Sequence, residues 1–172
     1  TFFVTHSIRE KWTTRKLGFD LRFGYPIFEF TSAFITYKNE GVKLEDVINP
    51  NDPIIQEDLQ ADQGVLSSIT VGVVRDKRNN RFETTAGNFQ SLTLETAGLG
   101  GDKKFLKWSA NARYYKQIIG DLVFRNSFEY GQINEVGGSP IPPSELFFLG
   151  GPNNLKGYGF AAVGPTRARV DE

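Results

Sequence analysis

Hydrophobic residues recur at every second position along several stretches of this chain. In "KFLKWSANARYY" (104–115), Leu106, Trp108, Ala110, Ala112 and Tyr114 fall on one side of an extended backbone, and Lys107, Ser109, Asn111, Arg113 and Tyr115 on the other. "DLVFRNSFEY" (121–130) sets Leu122, Phe124, Phe128 and Tyr130 against Val123, Arg125, Ser127 and Glu129, with Asn126 as the exception on the apolar side. In "SSITVGVVRD" (67–76), Ile69, Val71 and Val73 oppose Thr70, Gly72 and Asp76; in "FDLRFGYP" (19–26), Leu21, Phe23 and Tyr25 oppose Asp20, Arg22 and Gly24. Residues 1–9, 28–38 and 87–96 follow the same period less strictly and are further strand candidates. No segment shows the 3.6-residue period of an amphipathic helix.

The connections are of two kinds. "IIGDL" around Gly120 is a two-residue Gly-Asp hairpin signal, and "YPIFEF" around Pro26 predicts a second tight turn. The stretches 39–64 and 131–145 read instead as long polar or proline-rich loops, which suggests a meander with one plain end and one elaborate end. One-faced aromatic strands of roughly ten residues, joined alternately by short and long loops, are the pattern of a transmembrane β-barrel, apolar face to lipid and polar face to lumen. A soluble β-sandwich or a lipocalin-like barrel alternates as well. Strand length and loop asymmetry favour the membrane.

Composition narrows the function classes. The 172 residues include 15 Phe, 6 Tyr, 18 Gly and 8 Pro, which suits short strands with one apolar face. Basic and acidic residues number 20 each and are interspersed, so there is no electrostatic footprint for nucleic acid. Cysteine is absent, which removes disulfides, thiolate chemistry and cysteine metal sites. No apolar run approaches the ~20 residues of a membrane-spanning helix. With no Met, a strand-like start and a charged "TRARVDE" end, the chain reads as an internal piece of a longer protein.

Catalytic material is scarce. The single histidine, His6, sits among polar neighbours on a strand candidate and reads as a rim or lumen residue, not part of a triad or metal cluster. "GLGGDKK" (98–104) has the glycines of a phosphate loop but not its Gly-Lys-Ser/Thr ending, and reads as a turn. The acids Glu45, Asp46, Asp52, Glu57, Asp58 and Asp62 lack calcium-loop spacing and read as a solvated loop face. Arg22, Arg113, Arg125 and Glu129, all on polar faces, are placed to pair across strands. No enzyme, metal or cofactor site is expected.

Two stretches carry more than a plain turn needs. In "VVRDKRNNRFETTAGNF" (73–89), a strand ends in Arg75, Asp76, Lys77, Arg78, Asn79 and Asn80 and restarts after Gly87; the Asn and Asp side chains can close a turn, and Gly87 can adopt positive φ. "LGGPNNLKGYGFAAVGP" (149–165) bends at Gly150 and Gly151, turns a corner at Pro152, and presents Leu155, Lys156, Gly157 and Tyr158. Folded into a low-dielectric lumen, Lys156 needs a carboxylate partner; on a surface loop it simply reaches water.

Taken in order, these motifs resemble the barrel of the BamA-type outer-membrane assembly factors, in the bacterial surface antigen superfamily that also holds two-partner secretion transporters and organellar import barrels. "LGFDLRFGYPIFEF" is similar to the family's strand-turn-strand with Gly-Tyr-Pro. The segment from Arg75 to Tyr115 is similar to its Arg-Asp-Thr-Arg-Asp-Asn stretch and the two strands that follow. "FFLGGPNNLKGYGFAAVGP" is similar to its signature loop carrying Val/Leu-Arg-Gly-Phe/Tyr. Lys156 stands where the family has Arg, Lys77 for Thr, Asn79 for Asp and Thr84 for Pro. The resemblance implies that residues 1–172 are part of one outer-membrane β-barrel domain, several strands of a sixteen-stranded barrel, with periplasmic repeats and the last strands lying outside them. It implies a signature loop folded into the lumen, with Lys156 on acidic residues of later strands. It implies insertion of other outer-membrane proteins, with the bilayer, unfolded clients and accessory lipoproteins as partners and no nucleic acid. A secretion or translocation pore of the same superfamily is the nearer alternative, and a soluble ligand-binding β-barrel the more distant one.

Overall fold

The computed structural model describes residues 1–8, 13–47, 51–151, 155–159 and 162–164, with backbone only at 6–8 and 54. Seven strands follow one another: β1 (Phe2–Ile8), β2 (Thr13–Phe28), β3 (Thr31–Glu45), β4 (Gly64–Asp76), β5 (Gly87–Ala97), β6 (Phe105–Ile119) and β7 (Leu122–Glu135). They form a single sheet in sequence order, each antiparallel to the next. A helix, α1 (Pro53–Asp62), lies between β3 and β4, and one 3₁₀ turn, Pro143–Glu145, follows β7. Strands β2, β3, β6 and β7 run to 16, 15, 15 and 14 residues. They exceed the roughly ten residues expected from the pattern, and also the 9–11 that a bilayer-crossing strand needs.

The register fixes the faces. Directly paired residues share a face, and Phe23, Ile35, Val71, Leu94 and Trp108 form one continuous row across β2 to β6. The parallel row runs Tyr25, Ala33, Val73, Leu92, Ala110 and Tyr130. No Asp, Glu, Lys or Arg stands on this face within 17–25, 33–41, 65–73, 92–96, 106–114 or 122–130. Its large side chains are nonetheless open: Phe23 is 70% exposed, Tyr25 73% and Phe128 58%. An uncharged face of this breadth suits a hydrocarbon surround. The opposite face carries the Lys, Arg and Glu side chains. The core sits on that inner face at one end, where Leu66, Ala97 and Phe105 cluster with Ile133.

The turns place the two ends. Connections at 29–30, 77–86 and 120–121 make one end; the α1 segment, 98–104 and the run after Glu135 make the other. The Gly120–Asp121 hairpin forms as the sequence predicts, with Gly120 at φ 51°. The turn expected at Pro26 lies at Glu29–Phe30 instead. Pro26 pairs with Ser32 inside β2, and the ladder slips between Pro26 and Phe28, as a residue without an N–H requires. The predicted 26-residue loop at 39–64 is also replaced: β3 continues to Glu45, taking Lys43 with it, and α1 fills much of the rest. Pro53 opens that helix at a position where its missing N–H costs nothing. Ile55, Asp58, Leu59 and Asp62 make its inward stripe, and two aspartates on that stripe hid its period.

Candidate lumen site and motif loops

The segment from Asp76 to Asn88 closes on itself. Asp76 Oδ1 accepts from Arg78 Nε at 2.9 Å and Oδ2 from Arg78 Nη2 at 2.9 Å, a two-pronged fork, while Arg81 Nε stands 3.3 Å from Oδ2. The Asn79 side chain accepts from the backbone N–H groups of Thr85 and Ala86 and donates to Thr85 Oγ1 at 2.7 Å. Asn80 Oδ1 accepts from Phe82 N at 2.9 Å, and its carbonyl accepts from Thr84 Oγ1 at 2.6 Å. Asparagine, able to donate as well as accept, thus serves at position 79, and Thr84 adds a bond that proline lacks. Gly87 has φ 106°, and a Cβ there would run into the Lys77 carbonyl oxygen, so no other residue fits. Arg75 stands apart from this cluster, exposed on the apolar face at its rim.

Along the inner wall, charges meet in pairs. Lys16 Nζ lies 3.0 Å from Glu40 Oε1, and Arg113 Nη2 lies 3.4 Å from Glu129, which also accepts from Asn111 at 2.6 Å. Among the described residues Arg22 and Arg125 join no ion pair; their guanidiniums lie over Phe34 and Tyr115 at 3.9 and 5.6 Å. The largest network centres on Glu145. Its carboxylate meets Lys107 Nζ at 3.0 Å and Lys38 Nζ at 3.6 Å, and Lys38 also meets Glu95, which Ser68 supports at 2.7 Å. Burial alone would raise the Glu145 carboxyl; the charges of Lys38 and Lys107 outweigh it and hold the group below the ordinary carboxylate value. Asp62, read from sequence as solvated, is instead 1% exposed and accepts from Ser144 N at 3.1 Å. "GLGGDKK" is the turn the sequence predicts. Asp102 bonds both N and O of Val65, and Lys103 donates to the Gln60 carbonyl at 3.0 Å.

Beyond this network the chain makes a narrow loop. Leu149 bridges Val163, and Gly151 N donates to Tyr158 O at 3.0 Å. Gly150 and Gly151 are buried at the base with φ near 110°; Lys156, Gly157 and Tyr158 are exposed at the tip, and Leu155 is half-buried. Gly157 has φ 93° and open space around it. Among the described residues no ion pair reaches Lys156. Pro152, Asn153 and Asn154 lie outside the described residues, as does the His6 side chain.

The Omp85 superfamily domain matches this chain across residues 2–171. The chain belongs to the Omp85 superfamily. Its matches include the Sorting and assembly machinery component 50 homolog of Homo sapiens, 29% identical over 86% of this chain and 31% of the relative. The Outer membrane protein assembly factor BamA of Nitratidesulfovibrio vulgaris is 23% identical over 95% of this chain and 21% of the relative. The crystal structure of Haemophilus ducreyi BamA lacking POTRA domains 1–3 superposes with a TM-score of 0.81 at 17% identity, covering 95% of this chain and 34% of that one. The seven strands therefore form part of a BamA-type barrel. The chain spans about a third or less of the length of these relatives.

Within this Omp85 barrel, Asp76, Arg78, Asn80 and Gly87 gather at the plain end, with Arg75 apart from them on the apolar rim. The 149–163 loop leaves from the elaborate end, so the two motifs do not meet among the described residues. The residues that hold the inner network together, Lys38, Glu95, Lys107 and Glu145, are not singled out by sequence reasoning. A signal does exist: Glu145 is the only charged residue between Val136 and Leu155.

Proposed function

We propose that the protein containing this chain folds and inserts other β-barrel proteins into an outer membrane, without nucleotide hydrolysis. The observation that carries this reading is the superfamily match over nearly the whole chain, together with an uncharged, exposed sheet face opposite a charged inner one. Relatives named for assembly occur in animals and in a bacterium, so the reading covers organellar and bacterial outer membranes alike. The bilayer meets the apolar face, unfolded barrel proteins are the clients, and accessory lipoproteins are partners in a bacterial setting. Residues 1–172 are one part of a single barrel domain, and the 149–163 loop works within its lumen, with Lys156 paired to carboxylates on strands beyond this segment. The family mechanism, a weak seam whose free strand edge templates an incoming strand, fits an antiparallel barrel.

Reconstitution of the full-length protein in lipid vesicles tests the activity. It should accelerate membrane insertion of a urea-unfolded β-barrel client, and a rate equal to that of empty vesicles would exclude it. The membrane face is tested separately. Phe124, opposite Lys116 and two residues from the hairpin, lies at the rim, so Leu92 is the better probe, since it pairs with Val73 and Ala110 in the middle of the apolar band. Leu92→Lys should cost roughly 2–4 kcal/mol of folding stability, and Ser91→Lys, on the inner face, little. Equal costs would remove the assignment.

A further inference from the structure

We infer that Glu145 is a positioning residue that docks the base of the 149–163 loop onto the lumen wall, through Lys38 of β3 and Lys107 of β6. Strands β3 and β6 are three strand spacings apart, about 14 Å. One carboxylate reaches both lysines, at 3.6 and 3.0 Å, only by lying above β4 and β5 on the inner face. Neighbouring contacts fix the same point. Lys107 Nζ also donates to the Glu145 carbonyl at 2.8 Å and stands 5.1 Å from the Phe147 ring. That ring covers Gly131 of β7 so closely that any Cβ there would collide with it. Ser144 N, one residue earlier, is held by Asp62 of α1.

The chemistry makes Glu145 hard to replace. It is 8% exposed, and Lys107 has no other carboxylate within ion-pair distance among the described residues. Removing the acid leaves a half-buried ammonium without its counter-charge, whereas the Arg113–Glu129 pair, on the same wall, lies outside this network. The chain is thus fixed at Ser144 to Phe147, just ahead of the loop, while Lys156 is exposed at the tip. This deepens the assembly reading, and rests on that reading's placement of the loop inside the barrel.

The test uses the full-length protein in vesicles and measures protease cleavage within 149–163 alongside client insertion. Glu145→Gln and Lys107→Met should each raise cleavage about tenfold, and the double variant should be no worse than either single one, because both remove the same contact. Glu129→Gln, which breaks the Arg113 pair on the same inner wall outside this network, should change cleavage by less than about twofold. Client insertion by Glu145→Gln should fall in parallel with its cleavage. The inference is overturned if Glu145→Gln leaves cleavage at the parent rate, if Glu129→Gln raises it equally, or if the two single effects simply add. If the parent itself inserts no client, the assembly reading fails, while the cleavage comparison still decides the docking role.

Discussion

Two loops of this barrel share a vocabulary of glycine, asparagine and isolated cations, yet they are held in opposite ways. The loop from Asp76 to Asn88 spends its polar groups on itself: an aspartate forks an arginine, two asparagines cap backbone N–H groups, and Gly87 lets the chain pass its own carbonyl. The 149–163 loop has a bridge at its base and an exposed tip, and just ahead of it Glu145 is held on the wall. A loop that satisfies its own groups is a structural corner. A loop with an exposed tip keeps that tip available for groups elsewhere, as the proposed role in the lumen requires.

The contrast predicts that the same kind of change has unequal consequences in the two loops. Gly87→Ala should be the most damaging, at about 3 kcal/mol in urea unfolding of the full-length barrel, because strain at positive φ adds to a backbone collision. Asp76→Asn should cost about 2 kcal/mol in the same assay, since the fork to Arg78 is charge-assisted and largely buried. Gly157→Ala, with positive φ but open surroundings, should cost only about 1 kcal/mol. A Gly157 effect as large as that of Gly87 would mean that the tip is packed as tightly as the corner.

Acid should separate the loops as well. Glu145 is held below its ordinary value, so its contribution is present at neutral pH, persists above the unfolded value, and is lost as pH falls through the folded one. Lys38, Lys107 and Lys16 face it as cations, with Glu95, Glu40 and Asp62 as the surrounding acids. Protease protection of 149–163 should therefore hold at neutral pH and decline only as acid protonates Glu145, below the ordinary carboxylate value. The asparagine bonds of 79–86 do not titrate, so protection across those residues should fall less than that of 149–163, with the Asp76–Arg78 fork as the acid-sensitive part of that loop. A parent protein whose cleavage does not approach that of Glu145→Gln on acidification would detach the 149–163 loop from Glu145.

The strands were legible because a sheet wetted differently on its two faces writes a period of two into the sequence, and β4, β6 and β7 carry it cleanly. The Asp76–Gly87 loop was legible for a related reason: its bonds join residues a few positions apart, so the residue types sit side by side. The turn after β2 was misplaced because Pro26 was read as a corner, whereas the ladder absorbs it by slipping one residue. Helix α1 escaped because its buried stripe includes Asp58 and Asp62, and the value of Asp62 depends on Ser144, 82 residues later. Glu145 escaped likewise: its partner Lys107 is 38 residues away, and Lys38 farther still.

The central claim is that the 149–163 loop works from inside the barrel through the cation at its tip. Its most direct test is client insertion and loop proteolysis in full-length Lys156→Ala, Lys156→Arg and Lys43→Ala proteins, Lys43 being an exposed lysine on β3. A lumen ammonium left without its partner, or a partner left without it, costs several kcal/mol, while an exposed lysine is nearly neutral. Lys156→Ala should therefore slow insertion and raise cleavage within 149–163. Lys156→Arg, with its planar fork, should match or exceed the parent, and Lys43→Ala should equal it. If Lys156→Ala behaves like Lys43→Ala in both measurements, the loop is a surface turn and the claim is wrong.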